Sequence, residues 1–194
     1  MKSVVIENKG NGQFQLRALP TAAQFAPVYG SLPYDFDGDG LLDILLVGND
    51  HGMEVQQGRA DAFMGMVLRN KGGFHFQAVP LTESHFTVLG AGIGIAPMLV
   101  GNNREIVLAT QNKDALRVFQ STQNSTATYT ALQPNEIKAR YYFSDGQTQL
   151  EEFFLGSGFM TQKARYIKQP TKVQKVELLD ANGQITRSLE LLFH

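Results

Sequence analysis

With 194 residues, 43% of them hydrophobic, the chain has material for one large or two small domains with a buried core. A net charge of −1 gives no electrostatic footprint for nucleic acid or for an anionic membrane surface. Zero cysteines exclude a disulfide framework, thiol catalysis and cysteine-ligated zinc.

Residues 1–20 lack the apolar h-region of a signal peptide, so an export signal would lie outside this chain. No stretch reaches the ~18 apolar residues of a spanning helix. The 19 glycines and 13 phenylalanines suit turn-rich β structure better than helix. Val5-Ile6-Glu7-Asn8-Lys9-Gly10-Asn11-Gly12-Gln13-Phe14 opens the chain as a strand, a glycine-rich turn and the start of a second strand.

The next element is Asp35-Phe36-Asp37-Gly38-Asp39-Gly40-Leu41-Leu42-Asp43, followed by the apolar run Ile44-Leu45-Leu46-Val47. Acids stand at its first, third, fifth and ninth positions, with Gly40 at the sixth. Alternate residues of a tight loop can aim their oxygens at one centre, and carboxylates at this spacing suit a hard cation, calcium above all. The expected ligands are Asp35, Asp37, Asp39, Asp43 and the backbone carbonyl of Leu41. An EF-hand is excluded: its twelfth position needs a bidentate Glu and holds Leu46, and a short β-favouring run follows where a helix is required.

Asp-x-Asp-x-Asp-Gly-x-x-Asp ahead of an apolar strand resembles the calcium loop of FG-GAP (VCBS-type) repeats, the blades of integrin α-subunit propellers. The resemblance implies a blade with a structural calcium; it implies no activity.

The opening pattern returns. Val67-Leu68-Arg69-Asn70-Lys71-Gly72-Gly73-Phe74 repeats the strand and turn, and Ala78-Val79-Pro80 answers Ala18-Leu19-Pro20. Asp43 to Val47 lies 62 residues before Glu105-Ile106-Val107-Leu108-Ala109, and Gly30 matches Gly92 at the same offset. Two copies of one supersecondary unit explain this economically. In the second copy Asp35, Asp37 and Asp39 become Pro97, Leu99 and Gly101, leaving only Glu105 acidic, so one metal is expected. A third copy starts with a strand at Leu116 to Gln120 and a β-branched run at Thr126 to Leu132, then stops at Pro134. The polar stretch Asn49 to Gly65, with His51, Glu54, Arg59 and Asp61, reads as an excursion between strands, where recognition concentrates.

Beyond Pro134 two hairpins are expected. Ile137 to Phe143 and Thr148 to Phe154 flank Ser144-Asp145-Gly146-Gln147, and Val173 to Leu179 and Ile185 to Leu192 flank Asp180-Ala181-Asn182-Gly183-Gln184. Between them lies Gly156-Ser157-Gly158-Phe159-Met160-Thr161-Gln162. Hairpin, Gly-Ser-Gly-aromatic-x-Thr-Gln segment and hairpin resemble the ASPIC/UnbV module that follows FG-GAP repeats in bacterial proteins.

Catalytic patterns are lacking. Gly90-Ala91-Gly92-Ile93-Gly94 has the wrong spacing for a dinucleotide loop and suits close strand packing. His51, His75, His85 and His194 show no paired spacing. Ser157 is not in a nucleophile elbow, and the adjacent Glu151 and Glu152 face opposite sides of a strand.

The sequence therefore predicts an all-β chain. Incomplete propeller-like blades fill 1–133 (units at about 1–64, 65–115 and 116–133), and a small antiparallel module fills 134–194. The expected function is a non-enzymatic, calcium-binding interaction or scaffold module with a protein or glycan ligand, extracellular, cell-surface or periplasmic by the resemblance. The alternative is an accessory carbohydrate-binding region of a surface enzyme or glycan-uptake protein. Two blades cannot close a ring. The chain is thus part of a longer propeller, associates with further copies, or is capped by its C-terminal module, the last being the preferred outcome.

Overall fold

A computed structural model describes residues 2–52, 56, 58–101, 104–121, 128–156, 158, 160–169 and 173–190. Its secondary structure is almost all antiparallel β, in several small blade-like sheets, and no sheet closes into a barrel among the described residues. In chain order, β1 (Val4–Gly10) and β2 (Gln13–Ala18) form a lone hairpin, followed by a 3-10 turn at Thr21–Gln24. Next, β3 (Val28–Tyr34), β4 (Asp43–Gly48), β5 (Met66–Asn70) and β6 (Phe76–Ala78) form one four-stranded sheet in that order. After the one-turn helix α1 (Leu81–Ser84), β7 (Gly92–Val100), β8 (Arg104–Gln111) and β9 (Arg117–Gln120) form a three-stranded sheet.

The 62-residue repeat survives in the pairing register. Asn8 faces Phe14 as Asn70 faces Phe76, and Ile6 faces Leu16 as Leu68 faces Ala78. The sheets, however, straddle the sequence units. Each takes an inner strand pair from one unit and its outer part from the next, β5 and β6 in the first sheet and β9 in the second, so the boundary near residue 64 falls inside the β3–β6 sheet.

β4 explains why Ile44 to Val47 reads as a continuous apolar run and not as an alternating one: both its faces are covered. Leu45 and Val47 enter a core with Leu32, Val67, Ile95 and Val107, which joins the two repeat sheets. Leu46 enters the opposite core with Ala23, Phe63 and Leu68. The repeat glycines allow the close approach. A Cβ at Gly30 would lie 2.7 Å from Val47 Cγ2, and one at Gly92 would lie 2.9 Å from Val47 Cβ. Close strand packing is thus the role of the Gly90 to Gly94 stretch.

The third unit does not form the expected strand pair. β9 joins β8, whereas β10 (Tyr129–Ala131) pairs with β13 (Tyr166–Lys168) of the C-terminal region. The region 126–127 lies outside the described residues. Both C-terminal hairpins form: β11 (Lys138–Phe143) with β12 (Thr148–Glu152), and β14 (Val173–Leu179) with β15 (Ile185–Glu190). They join through β11–β14 around a core of Ala139, Tyr141, Phe153, Val176 and Leu178. The aromatic residues of these strands are therefore mostly packing groups, Phe154 being exposed.

Beyond the β10–β13 pair, the C-terminal module meets the repeats through side chains. Tyr166 Oη donates to Glu105 Oε1 at 2.5 Å, Lys168 Nζ lies 5.7 Å from the Tyr34 ring centre, and Thr161 packs on Gly94. Among the described residues no strand of the module pairs with the β3–β6 or β7–β9 sheet, and β1 and β9 have no strand partner besides β2 and β8.

Candidate metal centre

The acidic loop connects β3 to β4, whose register closes at Tyr34 opposite Asp43. Short polar side chains and two glycines shape it. Asp35 Oδ1 accepts the Gly38 N–H at 2.8 Å, and Asp39 Oδ1 accepts the Leu41 N–H at 2.8 Å. Such Asx turns fold the loop locally. Gly38 and Gly40 take φ of +78° and +88°, a region side chains rarely enter, and so supply the sharp reversals.

The outcome is convergence. One carboxylate oxygen from each of Asp35, Asp37 and Asp39 lies within 4.8 Å of the other two. Three such oxygens make the start of a shell for a hard cation, which takes six to eight oxygens at about 2.3–2.6 Å. Leu41 is exposed beside them, with its N–H committed to Asp39.

Asp43 is placed differently. It is fully buried at the start of β4, and each of its oxygens accepts a backbone N–H: Oδ2 from Phe36 at 2.9 Å and Oδ1 from Asn70 at 2.7 Å. It ties the head of the loop to the end of β5. Burial pushes its carboxyl above the ordinary range, against the two N–H donors that hold it down; the charges of Asp37 and Asp39 push the same way as burial. The structure thus brings Asp35, Asp37 and Asp39 together and sets Asp43 behind them.

Two further residues serve the loop. Arg69 Nε lies 2.7 Å from Asp37 Oδ2 without its N–H aimed at the oxygen, and Nη2 reaches Glu83 of α1 at 2.5 Å. Its charge offsets part of the repulsion within the acidic cluster. Asn70 adds a side-chain bond from Nδ2 to the Leu42 carbonyl at 3.0 Å. In the sequence both residues read only as strand and turn; the available signal is that Asn70 repeats Asn8 at the same point of the hairpin. Between the loop and the β5–β6 turn opens a groove of about 350 Å³, walled by Pro33, Leu41, Leu42, Phe74 and Phe76.

The degenerate second loop is gone as a loop. β7 and β8 run on until Val100 faces Arg104; Asn102 and Asn103 lie outside the described residues. Glu105, in the place of Asp43, accepts from Tyr166, and its Oε2 is buried with no hydrogen-bond partner among the described residues. Burial, and then the Glu105 carboxylate, push the Tyr166 hydroxyl far above its ordinary range; Tyr34 is raised by the same two causes.

The excursion after β4 is held at its base. Asn49, buried, donates to the Phe63 and Gly90 carbonyls at 2.5 and 3.2 Å and accepts the Phe63 N–H at 2.9 Å. His51, Arg59 and Asp61 are exposed, and Glu54 lies outside the described residues. His75 and His85 are exposed; His194, Ser157 and Phe159 lie outside the described residues. No protein-family model matches this chain, and no curated protein is found to resemble it.

Proposed function

We propose that this chain is a non-enzymatic interaction or scaffold module whose loop 35–43 holds one structural calcium ion. The observation that carries the reading is the convergence of three carboxylate oxygens, from Asp35, Asp37 and Asp39, in a loop already shaped by its own Asx turns. Calcium is favoured over magnesium because an all-protein oxygen cage with a backbone carbonyl suits its larger, more flexible shell. The Leu41 carbonyl and an Asp43 oxygen complete the proposed protein ligand set. The FG-GAP-like spacing of the loop supports the same assignment, and the ASPIC/UnbV-like segment fits the order of modules. An affinity of about 10⁻⁴–10⁻³ M, usual for extracellular modules, fits an extracellular, cell-surface or periplasmic setting where calcium is plentiful.

The ion's role is structural. It neutralises the cluster and fixes the backbone of Leu41, whose side chain walls the groove beside β5 and β6. Calorimetric titration with calcium tests this: one site per chain is expected, lost in Asp39→Asn. No heat and no shift in thermal unfolding at about 10 mM calcium, ten times the weakest expected dissociation constant, would refute it.

A further inference from the structure

The β1–β2 hairpin is half of something. By register it stands where β5 and β6 stand one repeat later: Ile6 for Leu68, Leu16 for Ala78, Phe14 for Phe76. Yet Leu68 is fully buried, while Ile6 is 59%, Phe14 64% and Leu16 67% exposed. The difference lies in what covers them. β5 pairs with β4 through Ile44↔Leu68, Leu45↔Val67 and Leu46↔Met66. The Leu68 face then packs on Phe63 and on Ala23 of the preceding 3-10 turn. The outer edge of β1 has no strand partner among the described residues. A two-stranded ribbon with one bare apolar face is marginal by itself, and a seven-residue open edge invites pairing.

We infer that β1 and β2 are the outer strands of a four-stranded sheet whose inner strand pair comes from a further repeat unit of the same kind. The internal repeat specifies that occupant to the residue. Its inner strand carries an aliphatic run like Ile44-Leu45-Leu46, set opposite Ile6, Val5 and Val4 in that order. Its short helical turn covers Ile6 and Leu16. A second copy of this chain is not the occupant, because both of its strands of the β4 type are already filled: β4 by β5, and β8 by β9.

Charge adds specificity. Glu7 stands in the place of Arg69, and it is paired with Lys9 and Arg17 at 2.7 and 2.6 Å. Arg69 faces Asp37, so the occupant's loop has a neutral or basic residue at the position of Asp37. The inference rests on pairing register and burial, and stands whether or not loop 35–43 takes calcium.

The test extends the full chain by a second copy of residues 21–65, joined ahead of Val4 and carrying Asp37→Lys in the added copy only. Amide hydrogen exchange is then followed at Val4 to Glu7, with chelator and with calcium. Exchange there is expected to slow by about 100-fold or more, as a fraying edge becomes a central strand. Ile6→Lys should be tolerated in the unextended chain and should abolish the protection in the extended one. Restoring Asp37 in the added copy should weaken it. Unchanged exchange at Val4 to Glu7 would overturn the inference. So would Ile6→Lys acting alike in both chains, or an unextended chain that light scattering shows as a dimer with these amides already protected.

Discussion

The two β-hairpins built on the repeat, β3–β4 and β7–β8, start from one plan and spend the same acidic position in opposite ways. In the first, eight residues separate Tyr34 from Asp43, and the buried carboxylate gathers backbone N–H groups from Phe36 and Asn70. In the second, the strands close on each other, and Glu105 turns to a tyrosine of the C-terminal module. One carboxylate holds a loop in shape within its own sheet; the other holds two parts of the chain together. An acid at a strand start is thus a general anchor, and its neighbours decide what it anchors.

The comparison breaks most visibly if the hydrogen bonds of the two acids are removed, one acid at a time. Asp43→Ala would strand two backbone N–H groups in a dry site, at about 1–3 kcal/mol for each buried unsatisfied donor, so a loss of about 3 kcal/mol is expected in urea unfolding. Tyr166→Phe should cost less, about 1–2 kcal/mol, because it removes one hydrogen bond from a carboxylate. It should also speed amide exchange at Ile167 while leaving Val47 protected. Equal losses, or the reverse order, would mean that the acids are interchangeable.

Calcium is expected to separate the hairpins at a smaller scale. At ten times the dissociation constant a folded-state ligand adds about 1.4 kcal/mol. For a chain of this size that raises the midpoint of thermal unfolding by about 3–6 °C. Asp39→Asn should remove most of the rise, and Glu105→Gln should leave it intact. A rise that depended on Glu105 would place the ion in the wrong hairpin.

The smallest effect is expected at Arg69. A partly exposed ion pair contributes about 0.2–1 kcal/mol, so Arg69→Gln should barely alter stability without metal. Removing its charge from beside the cluster should tighten calcium binding by about threefold to tenfold at low salt, an effect that salt then erodes. Calcium titrations of the two proteins at two ionic strengths would show it.

Much of this was legible in the residues. Alternation and turn chemistry gave the strands: Asp145-Gly146 and Asn182-Gly183 mark hairpins because their conformations are set locally. The acidic spacing marked the loop for the same reason, since Asx turns and positive-φ glycines act over two or three residues. The Gly30 and Gly92 pairing was visible as a repeat; that both meet Val47 was not. Asn49, Arg69 and Asn70 gave no motif, as each matters through partners 14 to 41 residues away. Glu136 is similar: fully buried, it is bonded by Arg187 from 51 residues further on, at 3.0 and 2.8 Å.

What the sequence determined by itself is what short range fixes: an all-β chain, a 62-residue period, a single intact acidic loop and two C-terminal hairpins. Tertiary structure decided which strands share a sheet. Nothing local in Leu116 to Gln120 or Tyr129 to Ala131 says that the first joins β8 and the second β13, because backbone pairing is generic and any strand edge can accept any other. Burial makes that choice. Phe119 packs against Phe86, ring centres 4.5 Å apart, and so joins the core between the repeat sheets, while Tyr129 meets Tyr166 of β13 edge-on at 5.6 Å.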